Sequence, residues 1–174
     1  MLSVPRVDAG SQRMLRRLLR GFGDVTVIPR GSPVPSWEPT RLNARFGGRV
    51  EDQVRYHLDR AGQVPLRPDI IWKVGGTAAA VIDAKYKAEK PAGYPDADLC
   101  QLLAYCTILG LPVGHLVYAR GNASPARHVV RQSGIEICCH AIDLSQPPDQ
   151  LIGQMNDLAG LVTAPAAASC RYPV

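Results

Sequence analysis

Residues 66–86, LRPDIIWKVGGTAAAVIDAKY, constrain the fold of this chain more than any other stretch. Two runs rich in apolar and β-branched residues flank Gly75-Gly76, a pair typical of a tight turn between antiparallel strands. Asp69 lies near the start of the first run, and Asp83 and Lys85 lie near the end of the second. Because strand side chains alternate between faces, Asp83 and Lys85 are expected on one face. The stretch therefore predicts a hairpin that gathers two acids and a lysine.

The composition suits a single soluble domain with one core. The chain has 174 residues, of which 46% are hydrophobic and 20% charged. Its apolar runs are too short or too interrupted to span a bilayer, and its start lacks the apolar segment of a signal peptide, so we expect a cytoplasmic protein with no membrane partner. The five cysteines contain no C-x-x-C pair, which argues against a zinc site. A net charge of +5 favours polyanionic partners, but only weakly.

The first third of the chain predicts two helices and a connector. Residues 11–22 place leucines at helical spacing and arginines, including Arg17, on the opposite stripe. This basic face is either solvated or contacts a nucleic-acid backbone. Residues 24–43 are rich in proline and read as an extended connector. Gly47 and Gly48 then predict the start of a helix from Arg49 to Arg60.

The remainder predicts a sheet with strands in mixed directions. After the two strands of about eight residues in 66–86, a loop leads to a helix that Asp96 or Asp98 can cap and that runs to about Leu109. Three strands follow at about 114–119, 127–132 and 135–142, and a last helix starts after Pro147-Pro148 and ends near Leu161. This order predicts an α/β fold rather than an alternating βαβ wind.

The polar residues of the hairpin suit phosphodiester hydrolysis. That reaction needs a polarised phosphate, an activated water and help for the leaving oxygen, and a hard cation held by carboxylates supplies all three. Asp69 and Asp83 on neighbouring strands could share one such cation, with Lys85 facing the same phosphate. Gln101 and Tyr105 share one helix face at i, i+4 spacing. The alternative is that Asp69 is a strand-edge acid and Lys85 a solvated strand end.

The succession of P-D, D-x-K and Q-x-x-x-Y resembles the PD-(D/E)XK nuclease superfamily. A closer resemblance is to the McrC family, the nuclease subunit of the McrBC methylcytosine-specific restriction system. It is carried by LDRAGQVPLRPDIIW (58–72), VIDAKYK (81–87) and DADLCQLLAYCTILGLPVGHLVYA (96–119). The resemblance implies a restriction-endonuclease-like mixed sheet flanked by helices.

The resemblance also implies an activity, a type IV restriction endonuclease that cuts double-stranded DNA. Asp69 and Asp83 would bind Mg²⁺, for which Mn²⁺ is expected to substitute, and Lys85 and Gln101 would be catalytic. Tyr105 would support the site. The partner would be a GTP-driven, McrB-like AAA+ ring. Contacts to DNA are expected from Arg67, Lys87, Lys90 and Arg17.

Two departures from the family leave a second hypothesis open. Family members carry an N-terminal region that docks on the ring, and a longer segment before the P-D strand with a glutamate that completes the acidic cluster. Glu51 is the plausible substitute here, although it is equally a first-turn helix acid favoured by the helix dipole. The alternative is a shortened, catalytically weakened or inactive module that binds a motor partner or DNA.

These considerations divide the chain into three parts. We expect a basic helix and connector in 1–46, as the remnant of a larger N-terminal region, and a PD-(D/E)XK nuclease-like domain in 47–162. A flexible tail is expected in 163–174.

Overall fold

A computed structural model describes residues 48–85, 96–119 and 125–164. The predicted N-terminal helix with Arg17, the proline-rich connector, the loop with Lys87 and Lys90, and most of the tail lie outside these residues. Within the described ranges, no helix is both long enough and apolar enough to cross a membrane.

The described residues form a six-stranded sheet, a separate two-stranded sheet and two helices. In chain order the strands are β1 (Arg49–Asp52), β2 (Tyr56–His57), β3 (Pro65–Leu66), β4 (Ile70–Val74), β5 (Thr77–Lys85), β6 (Val113–Ala119), β7 (Ala126–Val129) and β8 (Glu136–Ile142). The helices are α1 (Asp96–Leu109), between β5 and β6, and α2 (Pro148–Thr163), after β8. The larger sheet has the order β1-β4-β5-β6-β8-β7, and β2 pairs with β3 alone.

The sheet is mixed, as the sequence predicts. Strand β4 pairs antiparallel with both β1 and β5, whereas β6 pairs parallel with both β5 and β8. At the far edge, β7 pairs antiparallel with β8. All seven residues of β6 are buried, because a central parallel strand is covered on both faces. The α/β fold class with a helix-flanked mixed sheet is therefore confirmed.

The two helices cover opposite faces of the sheet. Helix α1 packs through Leu102, Tyr105 and Cys106 on one face, and α2 packs through Leu151 and Leu158 on the other. The approach of α1 to β6 depends on a glycine. A Cβ at Gly114 would lie 2.5 Å from Cys106 Sγ, so a larger residue would push the helix outward. Close packing here holds α1 over the end of β5.

The hairpin predicted around Gly75-Gly76 is present, with both glycines at positive φ, +58° and +84°. Its strands differ in length from the predicted eight residues, since β4 has five and β5 has nine. The register pairs Ile70 with Ile82 and Val74 with Thr77. Asp69 precedes the first of these pairs and Asp83 follows it, so the hairpin brings both acids to the same end of the two strands.

The helix predicted from Arg49 to Arg60 is wrong, since this segment contains β1 and β2. Gly48 gives the physical reason. It has φ of +123°, and a Cβ there would lie 2.5 Å from the carbonyl oxygen of Lys73. Glycine therefore lets the chain run against β4, where Val50 pairs with Trp72. Long-range strand pairing overrides the local helical pattern.

Candidate functional site

Asp69 is fixed at the junction of two strands. It directly precedes β4, and only 4% of its surface is exposed. Its Oδ2 accepts a hydrogen bond of 3.0 Å from the backbone N–H of Ala84 on β5. The side chain thus extends the hydrogen bonding between β4 and β5 beyond their outermost residue pair, Ile70 and Ile82. This bond holds the carboxylate next to Asp83.

Asp83 is a buried carboxylate with a shifted pKa. Its exposure is also 4%. Burial raises the pKa of Asp83 from 3.8 to about 6, with smaller upward contributions from the charges of Asp69 and Asp98, while Lys85 acts in the opposite direction. Lys85 Nζ lies 2.5 Å from Asp83 Oδ2. This is ion-pair contact without hydrogen-bond geometry, so Oδ2 has no hydrogen bond within the part of the chain that the structure describes.

Lys85 links the hairpin to α1. Its ammonium group donates to Gln101 Oε1 and lies 3.6 Å from Asp98 Oδ1. Strand alternation places Lys85 on the same face as Asp83, and α1 covers that face. Gln101, which the sequence analysis assigns to the site, therefore contacts the lysine and is itself exposed.

Tyr105 lies one helical turn after Gln101 and is buried, with 2% exposure. Its hydroxyl donates a hydrogen bond of 3.2 Å to the carbonyl oxygen of Arg67, two residues before Asp69. The tyrosine thus fastens the segment that carries the first acid to α1. Arg67 itself is exposed beside the site. Lys87, Lys90 and Arg17 lie outside the described residues.

Glu51 pairs with a different lysine. It lies on β1 opposite Ile71, and its carboxylate is 2.8 Å from Lys73 Nζ. The hydrogen bond to Glu51 raises the pKa of Lys73 above its ordinary value. Lys73 lies toward the turn of the hairpin, whereas Asp69 and Asp83 lie at the opposite end. The structure therefore brings together Asp69, Asp83, Lys85, Gln101 and Tyr105, and gives Glu51 another partner.

Three residues that lie at the site were not assigned to it from the sequence, namely Gln53, Asp98 and Tyr118. Gln53 donates through its side-chain amide to Asp69 Oδ1. Asp98, considered only as a helix cap, contacts Lys85, and its Oδ2 accepts a hydrogen bond of 3.2 Å from the hydroxyl of Tyr118. One signal was available, since Asp98 and Gln101 are spaced i, i+3 and so share a helix face. No local signal indicated Gln53, because the pattern of its segment predicts a helix.

The donor set fits a divalent cation of the Mg²⁺ class. Asp69 and Asp83 offer hard carboxylate oxygens, and Asp83 Oδ2 is buried without a hydrogen bond among the described residues. A cation there would add to the charge compensation that Lys85 provides for this buried carboxylate. Within residues 48–85, 96–119 and 125–164, no group of three or more histidine, cysteine, aspartate or glutamate side chains is arranged to hold a metal. Mg²⁺ commonly binds through one or two carboxylates together with water and substrate phosphates, so a pair is sufficient.

Two comparisons with known proteins give a match. Residues 38–119 match the family model described as McrBC 5-methylcytosine restriction system component. The fold matches a chain of the tetradecameric assembly of Thermococcus gammatolerans McrB AAA+ hexamers with bound McrC, with a TM-score of 0.52 and 16% sequence identity. The chain is thus similar to components of McrBC restriction systems.

The match to the McrBC family model includes every candidate site residue from Glu51 to Tyr105. The structural match covers 67% of this chain and 30% of the Thermococcus gammatolerans chain, so the similarity spans less than a third of the longer molecule. Among curated proteins, none matches the sequence.

Proposed function

We propose that this chain is the Mg²⁺-dependent DNA endonuclease subunit of a McrBC-type, modification-dependent restriction system, hydrolysing phosphodiester bonds. The observation that carries the proposal is the cluster of two buried acids on adjacent strands, with Lys85 held between Asp83 and Gln101. In this proposal Asp69 and Asp83 hold the metal, and Mn²⁺ substitutes for Mg²⁺. The bound cation would polarise the phosphate and lower the pKa of an attacking water.

The residues of the chain have separate tasks in this proposal. Asp69 is oriented by the backbone N–H of Ala84, so its carboxylate is preorganised before any ligand arrives. Lys85 presents a positive charge beside Asp83, where a scissile phosphate would bind, and stabilises the negative charge that develops in the transition state. Gln101 accepts a hydrogen bond from the ammonium group and fixes its direction.

The proposed partners are double-stranded DNA and a McrB-like AAA+ GTPase ring. The similarity to a structure of McrB hexamers with bound McrC supports the ring as partner. Methyl recognition and translocation are assigned to the ring, and cleavage to this chain.

The test is cleavage of methylated duplex DNA by the purified chain with the McrB-like ring of the same organism, GTP and Mg²⁺. Cleavage should be abolished by Asp83→Ala and by Lys85→Ala. Lys73→Ala is the matched control, because it removes a lysine of the same hairpin that pairs with Glu51 instead. Cleavage that survives both Asp83→Ala and Lys85→Ala would contradict the assignment of the site.

A second candidate is a catalytically weakened module that acts by binding the ring or DNA. It is favoured by the engagement of Glu51 with Lys73 and by the lack of a third acid grouped with Asp69 and Asp83 among the described residues. Binding to the ring or to DNA, without metal binding or cleavage, would select this candidate.

A further inference from the structure

Gln53 contacts Asp69 through both its backbone and its side chain. Its backbone N–H donates a hydrogen bond of 3.2 Å to the carbonyl oxygen of Asp69, and its side-chain amide donates to Asp69 Oδ1. Strands β2 and β3 lie between the two residues in the chain, so these contacts join the two ends of the segment that contains both strands. Both carboxylate oxygens of Asp69 are thereby engaged, since Oδ2 accepts from Ala84.

The backbone of Gln53 is strained. Its φ is +53°, and within the described ranges it is the only residue other than glycine with positive φ. Glutamine rarely adopts this conformation, because its Cβ then crowds the following carbonyl oxygen. Such strain persists only where surrounding contacts enforce it. Here the enforced conformation directs the N–H and the side chain toward the same aspartate.

Hydrogen bonds of this kind orient metal-ligating carboxylates. An amide donor takes up one lone pair of each carboxylate oxygen and leaves another for a cation. We propose that Gln53 is a positioning residue that fixes Asp69 for divalent-metal binding. The inference rests on the proposed function only in taking Asp69 as a metal ligand. Partners that orient a ligand in this way typically change metal affinity by about 10- to 100-fold when they are removed.

Two substitutions separate this positioning role from a structural one. Gln53→Gly and Gln53→Ala both remove the amide, but only glycine relieves the strain at positive φ. Mn²⁺ and Mg²⁺ affinities, measured by calorimetry on the full chain, should fall about tenfold in both variants. The Tm of the metal-free protein should be higher for glycine than for alanine. The proposal would be overturned if the metal affinities of the two variants differ in step with their Tm values, or if Gln53→Gly leaves metal affinity unchanged.

A third substitution tests the contact in the opposite direction. Gln53→Glu replaces the amide donor with a carboxylate of the same size, which would face Asp69 and repel it. The metal-free Tm should fall, and the fall should disappear in an Asp69→Asn background. Added Mn²⁺ should raise the Tm of Gln53→Glu by more than it raises that of the unmutated protein. If Gln53→Glu changes neither the metal-free Tm nor the response to Mn²⁺, the side chain does not act on Asp69.

The positioning role of Gln53 and the nuclease activity can be tested separately. Metal binding that depends on Gln53, without DNA cleavage, would support the positioning role and contradict only the nuclease assignment. If Gln53→Gly changes neither cleavage nor metal affinity, the positioning role is contradicted and the nuclease assignment is supported. No metal binding by the unmutated chain would overturn both.

Discussion

Lys85 Nζ lies 2.5 Å from Asp83 Oδ2, although the two residues project from positions about 6.6 Å apart along one strand. Burial raises the pKa of Asp83, and the charge of Lys85 opposes that rise. The lysine therefore helps to keep a buried carboxylate ionised at neutral pH. Under the proposed function, Asp83 must be ionised to bind a metal ion.

Replacing Lys85 should destabilise the protein in a pH-dependent way. In Lys85→Met, Asp83 loses its counter-charge, so its folded-state pKa rises further above the unfolded value of 3.8. An acid with a raised folded pKa destabilises the protein at high pH and not at low pH, where it is protonated in both states. Urea unfolding should show a loss of about 2 kcal/mol at pH 7.5 and a smaller loss at pH 5. An equal loss at both values, or a similar pattern in Lys73→Met, would contradict the pairing.

Asp98 should affect the reaction through Lys85. It is held by Tyr118 and lies 3.6 Å from the ammonium nitrogen, so Asp98→Asn removes one of the charges that orient the lysine. We expect kcat for DNA cleavage to fall about tenfold with KM for DNA unchanged. Asp96→Asn is the matched control, because it removes an exposed acid from the same first helical turn. Equal kinetics for the two variants would show that only helix-end charge matters.

Gly114 should not tolerate a side chain. A Cβ there would lie 2.5 Å from Cys106 Sγ and 2.9 Å from Leu102 Cγ, so Gly114→Ala must displace α1 from the sheet. Such overpacking costs about 1–3 kcal/mol and would also move Gln101 away from Lys85. Gly160→Ala in α2 meets no atom within 4 Å and should stabilise the protein by up to about 1 kcal/mol. Thermal unfolding of both variants checks this, and the prediction fails if Gly114→Ala is neutral.

A buried histidine pair should make the fold sensitive to acid. His115 Nδ1 and His140 Nε2 are 2.9 Å apart, and both rings are buried on the face covered by α2. Burial lowers the pKa of His115 from 6.5 to about 4, and burial together with His115 lowers the pKa of His140. Because the unfolded chain takes up protons first, stability present above pH 6.5 is lost between pH 6.5 and about 4. The slope is about 1.4 kcal/mol per pH unit for each histidine that titrates.

The check is urea unfolding across this pH range. His115→Gln should reduce the loss of stability, and His57→Gln, at an exposed position, should leave it as in the unmutated protein. Asp83 has the opposite dependence, since its folded pKa is raised, but it is present in all three proteins and cancels in the comparison. Identical pH profiles for the two variants would contradict the assignment to the buried pair.

The central elements were predictable because their signals are local. Gly75-Gly76 marks a turn with positive φ, and the alternation around Asp83 fixes the face on which Lys85 lies. The position of α1 followed from the acids at its start and from Gly110 at its end. These features together predicted which side chains meet at the end of the hairpin.

The edge strand was not predictable, because its conformation depends on a distant partner. Arg49–Asp52 pairs with residues of β4 that follow it by some twenty positions, and the local pattern favours a helix instead. Gln53 was hidden by the same error. Glu51 could not be placed without knowing that Lys73 lies across from this strand and binds its carboxylate.

A metal centre at Asp69 and Asp83 is tested most directly by a calorimetric titration of the full chain with Mn²⁺ or Mg²⁺. Binding is expected, and Asp69→Asn and Asp83→Asn should each weaken it at least about tenfold, because each removes a carboxylate ligand. Glu51→Gln should bind as the unmutated protein does, since its carboxylate pairs with Lys73. No binding, or binding that survives both aspartate substitutions, would contradict the assignment of Asp69 and Asp83 as a metal centre.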